Sequence, residues 1–276
     1  MARCAPVEDL FEEVFGDALL AVTRFEDGHD WRVTALTGAA PDGDVLARLG
    51  LALQTEEILA APVAVPPQDW VAKVQRDMPP ISAGRYWVYG SHVTQIPLNA
   101  HIPILVDAAA AFGTGHHEST KGCLLALDRM SRHLRPKAIL DIGTGTGILA
   151  VAAAKTWRVP VLASDNDPEA IRVANRVVRQ NRVAALVCCV VAEGVAGRSV
   201  AARAPFDLIT ANILARPLAE LAPAIARRAA PNARLVLSGI LAVQTAQVAA
   251  AYRAVGFVRT RTTRLGEWVT LEFRRP

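Results

Sequence analysis

Apolar and polar positions recur along the chain with two different periods. Val7, Leu10, Phe11, Val14 and Phe15 share one helical face within residues 6–15. Alternation then predicts two strands, 18–25 and 31–36, with Asp27-Gly28 in the turn between them. Helical spacing returns over 44–54, and 61–65 reads as one more strand. The order α-β-β-α-β lacks the strand that opens a split β-α-β sandwich. Either the fold lacks that edge or its start lies upstream of Met1. Pro66-Pro67 marks a boundary, Asp69 caps a short helix through Arg76, and Pro79-Pro80 ends it. Residues 86–90 read as a strand and turn. Trp70, Tyr86 and Trp87 gather aromatic area at this junction. Packing explains them more simply than a base-stacking platform.

From residue 101 the pattern becomes regular. A strand over 101–106 leads into a glycine-marked loop, Phe112 to His117, and a helix that opens at Ser119-Thr120 and runs to about Leu134. Strands at 139–142, 161–164, 185–191, 206–211 and 234–238 then alternate with helices at 148–157, 167–181, 216–229 and 243–255. Asp167-Pro168-Glu169 places a cap, a proline and an acid at one helix start. Such alternation implies a parallel sheet with helices on both faces. The chain then closes with two strands, 258–264 and 267–273, around Leu265-Gly266. The expected fold class is α/β, a Rossmann-like, mostly parallel sheet with a C-terminal antiparallel hairpin. It carries a small α+β domain at its N-terminus. The expected division is 1–65, a linker and junction over 66–100, and 101–276.

No apolar run reaches the ~18 residues of a membrane span. The first residues show no export signal. Cys4, Cys123, Cys188 and Cys189 lack C-x-x-C spacing, which points away from zinc or disulfides and toward a reducing cytosol. Net charge is +4, yet residues 1–100 carry −7 and the remainder +11. The acidic part suits a basic protein partner. The arginines of the basic part read as scattered over helix faces rather than as a nucleic-acid site.

Chemistry concentrates at Asp141-Ile-Gly143-Thr-Gly145-Thr-Gly147. Its glycines let a backbone bend closely around a ligand, and a helix N-terminus follows. Gly145-x-Gly147-x-x-Ala150 also satisfies a dinucleotide pattern. Asp141 separates the readings: a carboxylate at the bend repels a pyrophosphate and favours the ammonium and sulfonium of S-adenosylmethionine. The closing hairpin favours the second reading too. Ligands in such sheets bind beyond the carboxyl ends of the strands. Asp165 falls there, placed to accept two ribose hydroxyls. Ala192 or Glu193 borders the adenine, and Asn212 ends the fourth strand beside the methyl group. An asparagine carbonyl there holds an attacking amine. Adjacent His116 and His117 do not read as metal ligands, and no side chain is singled out as a base.

Five stretches carry a resemblance: Phe112–Thr120, Asp141–Ala150, Ser164–Pro168, Ala211–Ala215 and Leu237–Leu241. In order and spacing, over 107–276, they resemble the bacterial methyltransferases of large-subunit ribosomal protein eleven. The resemblance implies S-adenosylmethionine contacts at Thr120, Gly143, Asp165 and Asn212. It also implies an N-terminal domain that grips the ribosomal protein, and trimethylation of lysine and N-terminal amines. His116-His117-Glu118-Ser119 departs from the commoner Thr-His-Pro-Thr, and the recognition domain is short. The full expected set is Asn212 at the reaction and Thr120, Asp141, Gly143, Gly145, Gly147, Asp165 and Asn212 around the cofactor, with no metal. The expected enzyme is a cytoplasmic monomer that needs neither membrane nor nucleic acid. Three rivals remain: a methyltransferase for another protein lysine, a small-molecule N-methyltransferase, and a non-enzymatic dinucleotide sensor.

Overall fold

Seven strands form the main sheet of the computed structural model, which describes residues 11–27, 30–53, 80–93, 102–107 and 117–276. The chain separates into two compact units at Gln68/Asp69.

In the first unit, a helical turn over 11–15 precedes an antiparallel pair, β1 (Leu19–Asp27) and β2 (Asp30–Thr37). Their register runs from Leu19 opposite Thr37 to Asp27 opposite Asp30, with an irregularity between Leu19 and Ala21. The helix α1 (Gly43–Leu53) follows. Its start is capped by Asp42, whose Oδ1 accepts from the Val45 N–H at 2.8 Å. Phe11 and Leu49 are buried. The expected strand at 61–65 and the helix after Asp69 lie outside the described residues.

Among the described residues of the second unit, a small sheet comes first. β3 (Ile81–Ala83) runs antiparallel to β4 (Tyr86–Tyr89), and β4 runs parallel to β5 (Ile102–Leu105). Part of the stretch expected as a linker therefore belongs to a sheet. Tyr86 is fully buried and shares a 2.6 Å hydrogen bond with Thr156. Its burial pushes the phenol up to about 12. Asn181 pairs with β5 as another strand does: Oδ1 accepts from Leu105 N–H at 3.0 Å and Nδ2 donates to Leu105 C=O at 2.7 Å.

The main elements then follow in order: α2 (His117–Ser131), β6 (Ile139–Ile142), α3 (Ile148–Trp157), β7 (Val161–Asp165), α4 (Pro168–Gln180), β8 (Val187–Val191), α5 (Arg198–Ala201) and β9 (Phe206–Asn212). They continue with α6 (Ala215–Glu220), α7 (Ala222–Arg228), β10 (Ala229–Leu241), α8 (Thr245–Ala254), β11 (Val258–Leu265) and β12 (Trp268–Arg274). Spatial order is β11-β12-β10-β9-β6-β7-β8. The pairs from β10 to β8 are parallel, and β12 runs antiparallel between β10 and β11. Strand residues alternate between two cores: Ile139 and Leu208 join α2, α3 and α4 on one face, while Leu140 and Ile209 join α6, α7 and α8 on the other.

Two expected elements differ. The helix 216–229 is broken at Leu221, because Pro223 lacks the N–H that the Ala219 carbonyl needs. The strand expected at 234–238 starts at Ala229. Pro231-Asn232, with Asn232 at φ +63°, takes up a register shift between Ala229 and Arg234.

Candidate active site

The chain reverses direction across the sheet between β6 and β9, and the carboxyl ends of those strands carry most of the expected residues. After β6 the backbone turns through Gly143, Gly145 and Gly147, at φ +62°, +53° and +83°. Thr144 N–H donates to Ser164 C=O at 3.0 Å, and Gly147 N–H closes on Thr144 C=O at 2.8 Å. The three glycines serve different ends. A Cβ on Gly143 would sit 2.2 Å from Ile213 Cγ2, and one on Gly147 would sit 3.3 Å from Ala174 Cβ. A Cβ on Gly145 would meet nothing within 4 Å. That side of the turn faces open space.

Asp141 stands beneath the turn with 1% of its surface exposed. Its Oδ2 accepts from Thr144 Oγ1 and its Oδ1 from Thr210 Oγ1, both at 2.6 Å. One carboxylate thus ties β6, the turn and β9 together. Burial pushes it up to about 6, against the pull of the Thr144 and Thr210 hydroxyls. With both oxygens engaged inside the protein, Asp141 acts on the turn rather than at its surface.

Asp165 ends β7 half-exposed. Its Oδ2 accepts from Gly145 N–H at 2.9 Å and its Oδ1 from Asp167 N–H at 3.1 Å. The carboxylate is held at the lip of the turn, beside the open flank of Gly145. Asp167 takes the capping role, accepting from Glu169 N–H at 2.8 Å. Beyond β8, Ala192 N–H donates to Asp165 C=O at 2.8 Å, while Glu193 is exposed.

Across the reversal, Asn212 ends β9. Its Nδ2 donates to Thr120 Oγ1 at 3.2 Å, joining positions 92 residues apart in sequence. Asn212 Oδ1 makes no hydrogen bond among the described residues. Thr120 is buried in the first turn of α2. That helix presses closely on the sheet: a Cβ on Gly122 would lie 2.2 Å from Thr270 Oγ1.

Gly239 lies in the Leu237–Leu241 stretch singled out in the sequence, but its role is visible only in the structure. At φ +79° it receives the backbone of Ile213, and a Cβ there would lie 2.3 Å from Ile213 C=O. Ile213 is therefore wedged between Gly143 and Gly239. The wedge fixes the residue that follows Asn212. Only the irregular φ in the middle of a strand-like run marks such a position, and the sequence does not display φ. The pair His116–His117 falls outside the described side chains. Among the described residues, no cluster of His, Cys, Asp and Glu has metal-binding geometry.

A glycine turn at the switch point, an acid at the next strand end, and an asparagine across the gap define a Rossmann-like methyltransferase. The model of the family "Ribosomal protein L11 methyltransferase (PrmA)" matches residues 15–276, and the chain belongs to that family. A ribosomal protein L11 methyltransferase from Bradyrhizobium diazoefficiens is 45% identical over 278 residues, covering 99% of this chain and 94% of the relative. One from Rhodopseudomonas palustris is 42% identical over 280 residues, covering 98% and 92%. A crystal structure of ribosomal protein L11 methylase from Lactobacillus delbrueckii subsp. bulgaricus superposes with a TM-score of 0.62 at 26% identity, over 69% of this chain and 94% of that one.

Proposed function

We propose that this chain transfers methyl groups from S-adenosylmethionine to amino groups of large-subunit ribosomal protein L11, on lysine side chains and the N-terminal amine. The observation that carries the reading is Asn212: an amide anchored on one side by Thr120, with its carbonyl uncommitted, across the strand reversal from the glycine turn.

The site suits this cofactor. Gly145 leaves room for a bulky ligand against the turn, and Asp165 offers a carboxylate at its lip for hydroxyl donors. Asp141 places negative charge beneath the bend, which disfavours a pyrophosphate. When bound, the cofactor supplies an electrophilic methyl carbon on a sulfonium. Gly143, Gly145 and Gly147 shape the turn around it, and Asp165 orients it. Asn212 Oδ1 accepts a hydrogen bond from the incoming amine and aims its lone pair along the S–CH3 axis. The amine must arrive neutral, since lysine is charged at pH 7. Bound S-adenosylmethionine would supply the methyl carbon to the amine nitrogen, and the C–S electron pair would remain with the departing sulfur. Each later round requires loss of a proton from the methylated ammonium. Alignment and exclusion of water then carry most of the rate.

The N-terminal residues 1–65 serve as the recognition domain and 101–276 as the catalytic one. Residues 1–100 carry −7, which complements a basic client. The enzyme works as a cytoplasmic monomer. Among the described residues, no helix is long and apolar enough to cross a membrane.

Mass spectrometry of purified large-subunit proteins, incubated with the enzyme and limiting S-adenosylmethionine, tests this reading. Steps of one methyl group on L11 alone, lost with Asp165→Ala, are expected. Cofactor binding without any gain on L11 would move the activity to another client.

A further inference from the structure

The main sheet is polarised by charge along its strands. Register places Arg274, Arg234, Leu208, Ile139, Val161 and Val187 in one row at the edge where the parallel strands begin. The segments that meet at this amino edge are 132–138, 158–160, 179–186, 202–207, 227–234, 253–259 and 274–276. They hold fourteen Lys and Arg and one acid, Asp207. That acid is already occupied, its Oδ2 accepting from the Lys137 and Ala138 N–H groups. The opposite, carboxyl edge comprises 117–121, 143–147, 165–170, 191–197, 212–216, 241–245 and 264–268. It holds six acids and three bases.

Helix C-termini gather at the amino edge, and cations there are favoured by the helix dipole. This accounts for part of the charge. Arg135 donates to Ser131 C=O at 3.0 Å, Arg203 to Ser199 C=O at 3.3 Å and Arg275 to Ala226 C=O at 2.7 Å. It does not account for Lys137, Arg234, Arg259 and Arg274, which lie away from helix ends. Their side chains, and those of Arg158 at the end of α3 and Arg182 just beyond α4, make no hydrogen bond or ion pair among the described residues. Seven strands at about 4.8 Å spacing spread them over about 29 Å.

We infer that this amino edge is a docking surface for the phosphate backbone of RNA, on the side of the sheet away from the methyl-transfer site. The chemistry selects the partner. Protein interfaces depend on buried apolar and aromatic anchors. Val258 is the one exposed large apolar side chain that the described residues place in these segments. Phosphate binding needs charge and donors rather than an apolar centre. Thirteen of the fourteen cations are arginines, whose planar fork matches phosphate oxygens. Such binding does not depend on the methyl-transfer reading. A methyltransferase with a ribosomal client nevertheless meets that client close to RNA.

The test is fluorescence anisotropy of a labelled 20-nucleotide poly(U) RNA titrated with the full chain between 50 and 200 mM salt. One variant is Lys137→Glu/Arg182→Glu/Arg259→Glu. The comparison variant, with the same change in net charge, is Lys121→Glu/Arg216→Glu/Arg264→Glu at the carboxyl edge. We expect saturable binding that weakens with salt. The amino-edge variant should lose at least tenfold in affinity and flatten the salt slope by about 2, at about 0.7 per phosphate contact. The carboxyl-edge variant should lose less than threefold, and methyl transfer by the amino-edge variant should persist. Absence of binding by the unaltered protein at 50 mM salt, or equal loss in both variants, overturns the inference. So does equal competition by polyglutamate or anionic lipid vesicles of matched charge.

Discussion

The two sides of the site are built on different terms. On the β6–β7 side, the carboxylates of Asp141 and Asp165 accept from Thr144, Thr210, Gly145 and Asp167, and these bonds hold the turn. On the β9 side, Asn212 keeps one anchor, Thr120, and an uncommitted carbonyl, and its neighbour Ile213 is fixed by contact with two glycines rather than by hydrogen bonds. The first side holds its shape through polar bonds around a buried charge. The second depends on close backbone packing. Binding and reaction should therefore fail separately when each is disturbed.

The largest separation should come from Gly239→Ala. Its Cβ meets the Ile213 carbonyl at 2.3 Å, and backbone cannot swing aside as a side chain does. A shift of about 1 Å at a reacting group costs about 100-fold in rate. Methyl-transfer kinetics should show that loss in kcat, with cofactor affinity from calorimetry within about threefold.

The polar side is sharpened by pH. Burial raises Asp141 from 3.8 to about 6, so the folded chain takes up this proton at higher pH than the unfolded chain does. Between pH 4 and 6 the folded state binds more protons, and stability from this group falls as pH rises. Relative to Asp141→Asn, the unaltered protein should gain roughly 2 kcal/mol on going from pH 6.5 to pH 4. Urea unfolding of both proteins at the two pH values measures the difference.

Asp165→Ala should weaken S-adenosylmethionine binding by about 30-fold, the effect of losing hydrogen bonds to a charged acceptor, and leave the rate at saturating cofactor within about threefold. The smallest effect belongs to Thr120→Val. Removing one neutral hydrogen bond costs about 1 kcal/mol, so kcat should fall about fivefold with binding intact, in the same two assays.

The polar side was the legible one. Its glycines, Asp141, Asp165 and the cap at Asp167 lie within 27 residues, and their spacing follows local turn and helix rules. The closing hairpin was legible for the same reason. Asn212 was readable as a strand end, but its bond to Thr120 needs the sheet to bring α2 and β9 together. The wedge at Ile213 needs three elements at once, and β3 needs its partner β4. The basic edge was invisible because its residues are spread from Arg132 to Arg275 and meet only when the strands lie side by side. In sequence they read as scattered.

Asn212→Ala bears most directly on the account. Its cofactor affinity and its single-turnover rate of transfer to L11 should be measured on one preparation. A rate reduced by at least about 100-fold, with affinity within about threefold, is the predicted result. An unchanged rate, or a rate that falls only as far as affinity does, would contradict the assignment of Asn212 to the reaction.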